Sequence, residues 1–222
     1  MSKAPLLLYL SLCGGQLLGA GAKSPNVQKL ITKSTEKYTV VESSVPKKTV
    51  SGDVVHWDYV NPLLDGDVPE ALAYIKKHTD YTSYLLLMGL RKHYPAAYKA
   101  VSTEDKSAIL CSALRNTMSL NDWGNLSPSS SFDDRSAVAL LETGKVGLKY
   151  LVPILDDCNS APLFGSEEAT ISHVYRYRRK DFAYRYASLI LGKSPVFRAD
   201  PKERDKDIET LKAELKSRVP GK

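Results

Sequence analysis

The densest set of chemically capable side chains lies between Tyr175 and Tyr186, where Arg176, Arg178, Arg179, Lys180 and Arg185 alternate with Tyr175, Tyr177 and Tyr184. Cationic heads bind anionic oxygens and aromatic rings stack, so the set suits phosphate, an acidic glycan or single-stranded nucleic acid. The same spacing admits an internal use. On one continuous helix Arg178, Asp181 and Arg185 stand at i, i+3 and i+7, so the carboxylate can pair with both arginines along one face. In that arrangement Arg176, Arg179 and Lys180 form a solvated basic group and the tyrosines pack by their rings. Two uses therefore stand: a ligand face made by Arg176, Tyr177, Arg179 and Lys180, and a structural ion pair made by Arg178, Asp181 and Arg185.

A second candidate is the irregular stretch Ser119 to Phe132, where Asp122, Trp123 and Gly124 are adjacent. Trp123 can offer an aromatic platform to a ligand or plug a hole between helices, and tryptophan is mostly buried on average. Asn125, Leu126 and Ser127 spell a glycosylation acceptor, followed directly by Pro128. Four histidines, His56, His78, His93 and His173, have no zinc-binding spacing, and the sequence predicts no metal site. The acid pairs Asp65 and Asp67, Asp156 and Asp157, and Glu167 and Glu168 lie at helix edges, where capping accounts for them. No nucleophile elbow or phosphate loop occurs, so no catalytic residue and no cofactor is assigned. Of three cysteines, Cys111 and Cys158 can form a disulfide or remain as thiols, and Cys13 falls in the leader considered below.

The elements that must position these residues are helical. Asp67 with Pro69 and Glu70, Thr79 or Asp80, and Ser102 or Thr103 with Glu104 and Asp105 are helix starts. They predict helices near 68–78, 81–94, 95–101 and 103–118, with Leu72, Ile75, Leu85, Leu86, Met88, Leu90, Ile109, Leu110 and Leu114 in the core. A further helix is expected over Ser136 to Glu142, closed by Gly144. Leu148, Leu151, Val152 and Leu155 recur at helical spacing until Asp156 and Asp157. Beyond a loop, one long helix is predicted from Ser166 to Ile190, stopped by Gly192, Lys193 and Pro195. At the end of the chain Asp200 caps a helix with Pro201 in its first turn, and Ile208, Leu211 and Leu215 form one narrow stripe that should dock on the domain itself.

Residues 144–193 resemble a HEAT-like helical repeat. The first helix ends in LVPILDD, and the second carries RRKDFAYRYASLILG, whose Arg179, Ala183, Ala187, Ile190 and Gly192 resemble a HEAT B-helix. The insert from Cys158 to Thr170 departs from the short turns of that class. The resemblance implies an all-α, irregular superhelical stack of hairpins that serves as a binding scaffold and carries no chemistry.

The ends set the expected location. Met1 to Ala22 holds one charge, Lys3, then APLLLYLSLC and a small-residue exit, and is read as a secretory signal peptide. Cys13 offers the alternative of lipidation, although Leu12 is larger than the residue that usually precedes such a cysteine. Without residues 1–22 the chain carries 30 basic and 25 acidic side chains, a mild +5. Residues 23–55 read as an extended arm or linker, and 56–218 as the helical domain. No later apolar run approaches the roughly 18 residues of a membrane span. The sequence thus points to an exported helical interaction module whose partner is another protein or an acidic ligand. Export argues against nucleic acid, and an enzyme site near residues 119–132 has no motif behind it.

Overall fold

A computed structural model describes Val27 and residues 65–117, 120–124, 126, 135–161, 163 and 166–218. The chain is all-α: the described residues form nine α-helices and no strand. They are α1 (Val68–Ile75), α2 (Tyr81–His93), α3 (Pro95–Ala100), α4 (Thr103–Asn116), α5 (Arg135–Glu142), α6 (Lys145–Leu151), α7 (Ser166–Tyr175), α8 (Arg179–Ile190) and α9 (Pro201–Arg218). Among the described residues no helix is long and apolar enough to cross a membrane. Residues 1–22 and Cys13 lie outside the described residues. Of the expected arm, Val27 alone is described; it is helical at that point and fully buried.

Several helices begin where a side chain takes an orphan amide. The Asp80 carboxylate accepts from Ser83 N (2.9 Å), the Ser102 hydroxyl from Asp105 N (3.0 Å) and the Asp200 carboxylate from Lys202 N (2.9 Å). Pro69, Pro95 and Pro201 sit in first turns, where a missing N–H leaves no bond unmade. α2 is the hub, since every residue from Thr82 to Leu90 is buried. It packs against α1, α3 and α4; α4 in turn meets α5 and α6, and α8 lies against α5, α6 and α9. Burying side chains such as Leu86, Leu87 and Leu90 contributes about 1.5 to 3 kcal/mol each.

Two parts of the expected layout change. Val152 is exposed, and Ile154 is buried in its place. The cause is a tightening of α6 into a 3-10 turn, Val152–Asp156, with Pro153 in it. At three residues per turn Ile154 falls beneath Leu151 and Val152 rotates away. The second change is larger. The predicted single helix from Ser166 to Ile190 is two helices, α7 and α8, separated at Arg176 to Arg178. The nine helices do not alternate as equal pairs, and nothing in their packing confirms the HEAT-like arrangement.

Candidate functional site

The corner between α7 and α8 gathers most of the residues singled out from sequence. α7 closes with a Schellman motif, in which Arg176 N donates to the His173 carbonyl (3.3 Å) and Tyr177 N to the Ser172 carbonyl (3.1 Å). That closure needs a left-handed residue, and Arg176 supplies it with φ 49°. Among the described residues Arg176 is the one non-glycine with positive φ. Arg178 is the N-cap of α8, in extended conformation. Asp181, three residues on, reaches back to accept Arg178 N at 2.9 Å.

Asp181 is buried, its side chain 1% exposed, and is held by two guanidinium groups. Arg178 Nη2 lies 2.8 Å from it and Arg204 Nε 3.2 Å. Arg204 comes from α9 and is itself buried. Its Nη1 donates to the carbonyls of Arg198 (2.8 Å) and Ala199 (3.0 Å), and its Nη2 to those of Tyr175 (2.7 Å) and Arg176 (3.2 Å). One side chain thereby ties the end of α7, the start of α8 and the entrance to α9. Asp205, the next residue, pairs with Arg178 (2.9 Å) and Lys180 (2.8 Å). Partial burial pushes the Asp205 carboxyl upward, but the bond from Lys180 and the charges of Arg178 and Lys180 outweigh it and hold the group below its ordinary value.

The sequence-derived pair Arg178–Asp181–Arg185 is therefore corrected. Arg178 precedes α8 and does not share a helix face with Arg185, whose Nη1 donates to the Leu126 carbonyl at 3.1 Å. Arg204 stands where Arg185 was expected. The ligand face is corrected as well. Arg179 is buried and donates to the carbonyls of Leu114 (2.5 Å) and Thr117 (2.6 Å), closing the end of α4. Tyr177 is buried edge-on to Phe182 and Phe197. Arg176 is exposed, and half-buried Lys180 is paired with Asp205. Four residues that were to share one surface thus point to different neighbours, because the bend at Arg176 breaks the helical phase.

Asp122 and Trp123 are placed apart from this corner. Trp123 is buried against Tyr186, with ring centroids 5.9 Å apart, and its carbonyl accepts the Tyr186 hydroxyl. It is a plug between elements, not a platform. Asp122 accepts from the buried Tyr84 hydroxyl (3.3 Å), which also meets the Ser136 hydroxyl (2.7 Å). Burial and the Asp122 charge push the Tyr84 phenol well above its usual range. His173 is exposed on α7 and takes no part in this group. Of the two alternatives for Cys111 and Cys158 the structure has free thiols: Cys111 faces the core from α4, whereas Cys158 is exposed after the 3-10 turn. Burial pushes the Cys111 thiol up to about 12. Among the described residues no cluster of histidine, cysteine, aspartate or glutamate can hold a metal ion.

A shallow cleft of about 300 Å³, its open mouth included, separates α8 from the segment Pro195–Arg198. Asp181, Tyr184, Arg185 and Arg204 line its inner side. The residues that sequence reasoning missed are Arg204 and Asp205. A signal for Arg204 was present: positions 204, 208, 211 and 215 follow one helical stripe, so an arginine occupies a place otherwise given to Ile208, Leu211 and Leu215. No protein-family model, curated protein or solved structure matches this chain.

Proposed function

We propose that the chain is an exported helical interaction module, a scaffold of the cell envelope or extracellular space. The observation that supports this reading is the inward use of its reactive-looking side chains. Arg178, Arg179, Lys180, Arg185 and Arg204 all engage carboxylates or backbone carbonyls of neighbouring segments. Side chains committed in this way fix helix positions. The leader read over residues 1–22 supports export, and the mild +5 charge supports a protein partner over nucleic acid.

Two measurements test the reading. N-terminal sequencing of protein recovered from the exported fraction of its host should begin near Lys23; a blocked terminus carrying lipid on Cys13 would replace free secretion by anchoring. Retention on an anionic matrix should change no more for Arg176→Ala and Lys180→Ala than for alanine at exposed Lys202 and Lys206. A selective loss at Arg176 and Lys180 would instead favour an acidic ligand as the partner.

A further inference from the structure

Residues 166–190 contain neither glycine nor proline, and every residue type in them is compatible with an α-helix. No glycine or proline therefore marks the break at Arg176, and the Asp181 cap on Arg178 N is its one local side-chain support among the described residues. In an unbroken helix the Tyr175 and Arg176 carbonyls would accept from the amides of Arg179 and Lys180. Here both halves of that exchange are diverted. The two carbonyls accept from Arg204 Nη2, while Arg179 N donates to the Asn159 carbonyl (3.0 Å) and Lys180 N to the Asp157 carbonyl (3.0 Å). Ala161 N completes the wedge by donating to the Tyr177 carbonyl (2.9 Å).

We propose that α7 and α8 form a two-state element set by α9: bent while Arg204 is docked, and one continuous helix when α9 is released. For the amides of residues 179 and 180 the bonds trade one for one, loop carbonyls for those of residues 175 and 176, while the Ala161 amide and the Asn159 and Asp157 carbonyls pass to solvent. α7 is held lightly enough to swing. Glu168, Thr170, His173 and Val174 are exposed, Ile171 and Tyr175 pack partly buried against the core, and the Ser172 hydroxyl donates to the Ala161 carbonyl at 3.0 Å. Phe197, which packs on Tyr175 and Tyr177, belongs to the segment that leads into α9 and leaves with it. α9 itself is fastened by three apolar side chains, Ile208, Leu211 and Leu215, together with ion pairs from Arg204, Asp205, Asp207, Lys212 and Glu214. A partner that captures α9 would straighten the corner and present α7 in a new direction.

The test is a distance measurement between spin labels at Glu168→Cys and Ile190→Cys, in a full-length chain with Cys13→Ser and Cys158→Ser. A continuous helix fixes residues 168 and 190 about 33 Å apart. Arg204→Ala should move the distribution to a longer, narrow distance with helical content kept or raised. Adding Lys180→Pro should abolish that shift, because in the first turn of α8 proline costs the bent form only the Lys180 N bond to the Asp157 carbonyl, whereas inside a continuous helix its ring also clashes with the preceding turn. Should Arg204→Ala fail to fold, Arg204→Lys serves instead, keeping a charge for Asp181 but unable to span the carbonyls. An unchanged distance, a broad distribution with lost helicity, or a shift that survives Lys180→Pro would overturn the proposal.

Discussion

Helices α7 and α8 close with the same pair of backbone bonds. At the end of α8, Gly192 N donates to the Leu189 carbonyl and Lys193 N to the Ser188 carbonyl, both at 2.9 Å, and the left-handed residue is Gly192, φ 74°. At the end of α7 the left-handed residue is Arg176. Gly192 takes its conformation without help, because glycine has no Cβ to strain. Arg176 has no such freedom, and its carbonyl and that of Tyr175 are clasped by Arg204. One stop is local and encoded by its own residue. The other is imposed from α9, about thirty residues along the chain.

This contrast orders the effects of substitution. Arg204→Ala is expected to cost the most, about 3 to 5 kcal/mol, because it removes one of two cations facing a buried carboxylate together with the donor to the Arg198 and Ala199 carbonyls. Its urea midpoint should fall furthest in the set. Arg179→Ala leaves the Leu114 and Thr117 carbonyls without their charged donor and should cost about 1.5 to 3 kcal/mol in the same assay. Gly192→Ala meets no atom within 4 Å of its new Cβ, so only the conformational penalty remains, about 1 kcal/mol. Arg176→Gly should have the opposite sign, a gain of under about 1 kcal/mol, since relief at the corner is offset by a looser unfolded chain. If Gly192→Ala and Arg176→Gly both destabilised equally, the two ends would not differ as described.

Acid should separate the two ends as well. Asp205 has a folded pKa below its unfolded value, so its contribution is complete above the ordinary carboxylate range and is lost as pH falls through the lowered value. Asp205→Asn should therefore flatten the decline of stability below about pH 4, read from thermal melts across pH, while Gly192→Ala leaves its slope unchanged.

Much of the layout was legible in the sequence, because helix starts and stops are short-range. Asp80, Ser102, Asp200, Pro201 and Gly192 act within a turn of where they stand, and helices α1 to α4 begin at the expected residues. The 3-10 turn was signalled less openly, by Pro153 inside an apolar run. The bend at Arg176 was not legible from residues 166–190, since the bonds that divert the Tyr175 and Arg176 carbonyls and the Arg179 and Lys180 amides have their partners in residues 157–159 or in α9. The arginine cluster was legible as a concentration of charge but not as a clasp. A guanidinium on a helix face looks the same whether it meets solvent, Asp181 or the end of α4, and only the lone arginine on the stripe of α9 hinted at where the counterpart lies.

The most direct test of the clasp is a pair of urea melts, Asp181→Ala beside Arg176→Ala. Asp181 is buried between Arg178 and Arg204, so its loss leaves buried Arg204 without its counter-charge and Arg178 with Asp205 alone, and should lower stability by about 3 to 5 kcal/mol. Arg176 projects into solvent from a position whose backbone does the work, and its alanine variant should change by under about 1 kcal/mol. Equal midpoints for the two variants would contradict the account, showing the ion pairs to be a surface ladder and returning the basic cluster to a role in binding an anionic ligand.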